Sequence, residues 1–375
     1  MSASFLVLLF HSIHRVISHA IKNKGIINPI ITIMTFTILI TDVLFNYSAG
    51  IYASSINYLY PLACALYGIS IFIRSDRAQK YKYFIATFAL IFSVFNEQIA
   101  LAILVLSTIR IAYIILRRPI AMPFGKRSVI QRVVPFTLSF AGVLNVILCP
   151  GNHVRQQGEV TTFFPAFGTL NLPAKIALGI DSTFAYLTSQ SFLLFYLIVI
   201  AISAILLLKN KPIQSLVCAV FAIFCFLPHI VAVADYSKVP MVFNVSQIFS
   251  NSVVSVDLSL AFMKSISLHL YYLLVFLGII IVLIMLYKYS KRRLHVALIS
   301  LGILLRLAVS FSPAVLISET RPFLITFICF YIALFLIGDE LLSTVLGKNN
   351  NAKEVGVTSD SNDRPPANRT ARSSQ

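Results

Sequence analysis

Apolar runs of roughly 20 residues recur along this chain, and that recurrence leaves few folds open. A run of that length with few charges matches the helix needed to cross a bilayer core. Strands of a transmembrane barrel would alternate apolar and polar residues, and these runs do not. Of the 375 residues, 58% are apolar and only 11% charged, with a mean hydropathy of +0.88. That composition rules out a string of soluble domains. The expectation is an all-α, polytopic transmembrane helical bundle.

The positive charge fixes an orientation rather than a nucleic-acid partner. Lys and Arg number 30 against 13 Asp and Glu, a net +17, but the excess sits in short loops between apolar runs, as cytoplasmic loops require. The clusters are Lys22/Lys24, "RSDRAQKYK" (74–82), "RRPIAMPFGKRSVIQR" (117–132), Lys209/Lys211, "KYSKRRLH" (288–295) and the tail from Lys348. The simplest threading has about ten spans, at 25–45, 57–73, 82–96, 98–116, 133–149, 190–208, 213–234, 266–287, 296–317 and 323–345, with both termini inside. Residues 1–24 carry His11, His14, Arg15 and His19 and read as an interfacial or partial helix, without an evident cleavable signal. Residues 25–347 form the polytopic domain, and 348–375 lack apolar residues to bury and read as a disordered cytoplasmic tail. Cys64, Cys149, Cys218, Cys225 and Cys329 lie in or beside apolar runs without paired spacing, as small fillers rather than a disulfide or zinc framework.

With the inside placed by Lys and Arg alone, the unusual polar motifs fall on the opposite face. They are "SSINYLYP" (54–61), "FNEQ" (95–98), "CPGNHVR" (149–155), "LPHIVAVAD" (227–235) and "SPAVLISETRP" (312–322). Polar groups at membrane depth are expensive and mark function, so this convergence points to one site on the exported leaflet. Segments 156–189 and 235–262 are too polar to span and are expected as exported loops or interfacial helices.

Glu97 sits in a tight corner between two short spans. It is either a helix-corner cap or, if desolvated, a general base. Asn96 beside it closes the turn or contacts a sugar. In "PGNHVR", Pro150 and Gly151 end a span, Arg155 offers a fork for phosphate oxygens, and His153 and Asn152 can share that anion. The bland alternative is an interfacial Arg snorkelling to headgroups. Arg321 is a second cation for a diphosphate, or a local ion-pair partner of Glu319. Arg306 lies deeper and must face a partner or a wet cavity. Asn57, Tyr58 and Tyr60 suit the stacking and hydrogen bonding of a sugar, although tyrosines there also form interface belts. Asp42 is the acid near the first exported loop. No Walker loop or dinucleotide-binding glycine pattern occurs, so an anionic substrate is expected through the membrane.

Four of these stretches in order, "SAGIYASSINYLYPL" (48–62), "FNEQ", "CPGNHVR" and "SPAVLISETRP", resemble a family of bacterial polytopic membrane proteins. It is related to the phage serotype-converting O-antigen glucosyltransferases and has a GT-C-like architecture. The resemblance implies a polyprenyl-phosphate-linked sugar as donor and a lipopolysaccharide or other surface glycan as acceptor, joined at the exported face. Two departures stand out: Asn96-Glu97 occupies a corner that often reads His-Glu in that family, and Asp42 alone can serve as the acid of a first exported loop.

The reading is therefore a glycosyltransferase of the bacterial inner membrane. Glu97 or Asp42 is the base, and Arg155, Arg321, His153 and Asn152 bind the lipid phosphate. Asn57, Tyr58, Tyr60 and Asn96 bind the sugar. Its partners are the lipid-linked sugar, the surface glycan and membrane lipids, with no nucleic acid. No cofactor is evident, and nothing supports a divalent metal. An O-antigen or capsule polymerase, or a non-enzymatic flippase or transporter of lipid-linked glycans, is the alternative.

Overall fold

Each apolar run becomes a helix, and the breakers between them set the corners. The computed structural model describes residues 2–21, 29–41, 55–73, 80–117, 126–189, 192–234, 266–290, 293–315 and 321–360. In chain order the helices are α1 (Ser2–Ala20), α2 (Pro29–Thr41), α3 (Tyr60–Ile73), α4 (Lys80–Ser93), α5 (Glu97–Arg117), α6 (Lys126–Leu148) and α7 (Pro150–Phe163). They continue with α8 (Leu172–Leu187), α9 (Leu193–Leu208), α10 (Pro212–Ala234), α11 (Ile266–Tyr289), α12 (Leu294–Ala308) and α13 (Phe323–Asp360). A π-helical turn, Ser55–Leu59, leads into α3, and 3-10 turns occupy Pro165–Thr169, Val309–Phe311 and Pro313–Val315. Among the described residues every regular element is helical.

Four apolar stretches are long enough to cross a membrane: Ser55–Ile73, Leu270–Tyr289, Leu294–Phe311 and Phe323–Leu346. A fifth candidate is the pair Val133–Leu148 and Pro150–Thr162, bent by 56° where Pro150 breaks the run. Pro212–Phe226 opens the 23-residue α10, while Pro29–Ile40 and Leu193–Leu208 are apolar but shorter. At 1.5 Å per residue, a helix of that length falls short of a hydrocarbon core about 30 Å thick. Among the described residues the apolar runs thus include both full-length and short helices.

Two expectations need correction. α13 continues to Asp360, thirteen residues past the boundary drawn at 347, because a helix already packed along its stem gains one backbone hydrogen bond for each residue added. Residues 361–375 lie outside the described part. The polar stretch 156–189 also does more than lie at an interface. α8 packs between α11 and α12 and buries Asp181, Thr183, Phe184 and Leu187. Gly179 permits that approach, since a Cβ there would stand 2.2 Å from Ser310 Cβ. The segment 235–262 lies outside the described residues.

The core is built around α13, which packs on α9 and α12 and is buried along most of its apolar length. Lipid tails are as apolar as leucine, so helix pairing rests on close fit and polar links rather than on a hydrophobic difference. Both are present. The Tyr331 hydroxyl donates to the Thr32 carbonyl at 2.6 Å and lies 2.9 Å from Thr35 Oγ1, tying α2 to α13. Thr326 Oγ1 donates to the Gly302 carbonyl at 2.8 Å, tying α12 to α13.

The short α9–α10 connection closes in the left-handed conformation at Asn210, φ 57°. The Lys211 N–H donates to the Leu206 carbonyl at 2.9 Å and the Asn210 N–H to the Leu207 carbonyl at 3.0 Å. This is the helix stop that asparagine, with its short side chain, accepts readily. It sets Lys209 inward, where its Nζ meets Glu340 Oε1 at 2.5 Å and donates to the Tyr289 carbonyl at 2.6 Å. Ser290 Oγ donates to Glu340 Oε2, and the fully buried His295 has its Nε2 4.0 Å from that oxygen. From Phe323 to Glu340 along α13 is about 25 Å at 1.5 Å per residue. This ionic cluster and the corners before α3, α5, α7 and α13 therefore occupy opposite poles.

Candidate functional site

The corner between α4 and α5 is fixed by its own amide. Asn96 caps α5, its Oδ1 accepting from the Ile99 N–H at 3.1 Å, while its Nδ2 donates to the Asn57 carbonyl at 2.8 Å. Both ends of that amide are thus occupied, which makes Asn96 a bracket between the π-helical turn and α5 rather than a sugar contact. Gly142 of α6 lets the corner seat, because a Cβ there would come within 2.8 Å of the Val94 carbonyl oxygen.

Asn152 plays the matching part at the next corner. Its Nδ2 donates to the Val146 carbonyl at 2.8 Å across the break at Pro150, so it staples α6 to α7 instead of facing an anion. With α7 so held, Arg155 Nη2 stands 3.5 Å from Glu97 Oε2. Its Nε stands 3.6 Å from Glu159 Oε1, one helical turn further along α7. The side chains of Arg155 and Glu97 remain 59% and 53% exposed. The short turn thus leaves the Glu97 carboxylate on the surface of the bundle beside a cation, not buried within it. An exposed pair of this kind contributes roughly 0–1 kcal/mol to stability, so it is available to exchange partners.

Tyr58 is half-buried at the same place, and its hydroxyl feels four charges: Glu97, Arg321, Arg155 and Glu159. The turn Pro313–Val315, which precedes Arg321, packs against α7. Tyr58, Glu97, Arg155 and Arg321 are therefore brought into one charged neighbourhood, two cations and two acids once Glu159 is included. Glu159 was missed in the sequence reading, although its spacing of four from Arg155 on a helix was the available signal.

Other expected members are placed elsewhere. His153 is two residues from Arg155, a turn of about 200° on a helix, and it lines a separate hollow of about 320 Å³ with Gln156, Gln157, Phe167 and Lys175. Tyr60 is buried, its ring stacked on Phe5 of α1 at 4.0 Å and 14°, so that face is closed to a sugar. Asn57 is exposed and contributes its carbonyl to Asn96. Asp42, Glu319 and Asp235 lie outside the described residues. Among the described residues no group of three His, Cys, Asp or Glu side chains is gathered as a metal site.

Beneath the corner lies Arg306, in the last turn of α12 and 2% exposed. Its guanidinium covers the Phe323 ring at 4.6 Å, and among the described residues its Nε and Nη1 have no hydrogen-bond partner. The helix C-terminus and the ring together supply roughly 1–3 kcal/mol of compensation. Burying a charge without a counter-ion costs several kcal/mol, roughly twice that or more.

No protein-family model, curated protein or solved structure matches this chain.

Proposed function

We propose that this chain is a GT-C-like glycosyltransferase of about ten spans in the bacterial inner membrane, with both termini cytoplasmic. It moves a sugar, glucose being the one the resemblance suggests, from a polyprenyl-phosphate donor to a surface glycan such as O-antigen. The observation that carries this reading is the partner-sharing of Arg155 with Glu97 and Glu159, beside Tyr58 and Arg321, at the pole away from the basic loops.

In the empty protein Arg155 is held by two carboxylates. An arriving lipid phosphate competes for that guanidinium, whose charge and fork suit it, and releases Glu97. The freed carboxylate accepts the proton of the acceptor hydroxyl as its oxygen bonds to the anomeric carbon. The bond from that carbon to the phosphate oxygen breaks, and the electron pair leaves on the phosphate, where Arg155 and Arg321 stabilise the developing charge. Tyr58, beside these charges, is the residue that contacts the sugar in this reading.

The test is the composition of the surface glycan with and without the chain. An added side-branch sugar that depends on it supports the transferase. A changed chain length with unchanged composition would replace it by a polymerase, and no change in either would replace it by transport.

A further inference from the structure

The structure assigns Arg306 as a second, deeper anion site: a buried guanidinium with no counter-ion among the described residues, placed for a phosphate or diphosphate group that enters between the end of α12 and the start of α13. Its ligand class rests on the transferase reading, but the physical case for an anion does not.

Three observations carry it. Arg306 is almost wholly buried and makes no salt bridge among the described residues, its Nε and Nη1 lacking any acceptor there. Arginine does not shed its proton to escape such a place, and intramembrane charges without protein partners mark ligand or ion pathways. Its setting is also short of an anion rather than of a cation. Phe323 covers one face of the guanidinium and contributes no acceptor.

The third observation is position. Arg306 lies two residues before the end of α12, and the ring it covers is two residues beyond Arg321, which is only partly buried. The two arginines thus bracket one corner from above and below, with α7 and its Arg155 packed against the turn between them. The donor's phosphodiester, with one negative charge, is served by the outer pair alone, whereas the polyprenyl phosphate released on transfer carries up to two. A group carrying two or more, such as a diphosphate, is the one that gains from a further guanidinium below. Bidentate donation to phosphate oxygens would supply the acceptors that Nε and Nη1 lack.

The test is thermal melting of the full chain in neutral detergent, as wild type, Arg306→Met and Arg306→Lys. Each is measured alone, with inorganic diphosphate, and with a polyprenyl phosphate in the micelle. For an anion site, Arg306→Met melts no lower than wild type without anion, because an uncompensated charge has been removed. Either probe raises the wild-type melting temperature by several degrees, roughly as a ligand well above its Kd does. Arg306→Met loses most of that rise, the outer pair supplying the remainder, and Arg306→Lys retains more of it. A rise with the lipid alone assigns the group to a lipid headgroup, a rise with diphosphate alone to a free phosphate, and a rise with both to either source. No rise in wild type, a full rise in Arg306→Met, or failure of both variants to accumulate in membranes overturns the assignment and makes the guanidinium structural. Glycan output separates the two ideas. An Arg306-dependent rise in a chain whose deletion leaves the glycan unchanged keeps the anion site and removes the transferase. A glycan change that survives Arg306→Met, with the rise intact, does the reverse.

Discussion

Glu97 and Arg155, 58 residues apart in sequence, meet with Oε2 and Nη2 3.5 Å apart, and both lie on the surface of the helix bundle. A pair so exposed adds little to stability, so its value lies in what each group does when separated. Glu97→Gln keeps the shape and most hydrogen bonding while removing the charge. It is expected to leave the melting temperature within a few degrees and the membrane abundance normal, while abolishing the glycan modification. Retained modification would make the corner purely structural and move the base to Asp42.

Arg155→Lys separates a phosphate grip from a headgroup contact. An ammonium supplies charge but not the planar fork, so the Lys variant is expected to lose activity almost as fully as Arg155→Ala, on the order of 10²-fold or more. Wild-type glycan output from the Lys variant supports snorkelling instead.

Asn96 is predicted to act through stability rather than specificity. Asn96→Ala removes the α5 cap and the link to the Asn57 carbonyl, a loss of about 1–2 kcal/mol by the usual cost of a cap. Lower abundance and an earlier melt are expected, with the transferred sugar unchanged. A changed sugar at normal abundance would return Asn96 to the sugar site.

Lys209 and Glu340 form the buried counterpart at the other pole. Removing one partner strands the other, so Glu340→Leu alone is expected to cost about 3–5 kcal/mol. Lys209→Met with Glu340→Leu should recover most of that loss, because two matched apolar groups leave no orphaned charge. Chemical or thermal unfolding of the single and double variants gives the coupling directly. A double variant no better than the single would show that Ser290 and His295 matter more than the pair.

Cysteines introduced at 58, 97 and 153 are expected to label from one side of the membrane, and at 78, 125 and 291 from the other. Labelling of 97 and 153 from opposite sides would dismantle the shared site, since Glu97 and α7 are in contact.

The sequence by itself determined the helices and their corners. Apolar runs leave the backbone no partner but itself, and Pro150, Asn96 and Asn210 end runs by chemistry that acts within a few residues. It also drew "SSINYLYP", "FNEQ", "CPGNHVR" and "SETRP" towards one end, because charge bias orders the loops. What an individual side chain touches is decided at longer range. His153 and Arg155 part company because α7 is helical and bent at Pro150, which turns one towards Lys175 and the other towards Glu97. Tyr60 becomes packing rather than a sugar platform only because α1 brings Phe5 onto it. Lys209, read from sequence as a basic loop marker, finds Glu340 131 residues away, and Arg306 finds no acceptor for its Nε and Nη1 among the described residues. No local pattern encodes such pairings, since each depends on which helix faces lie together once the bundle has closed.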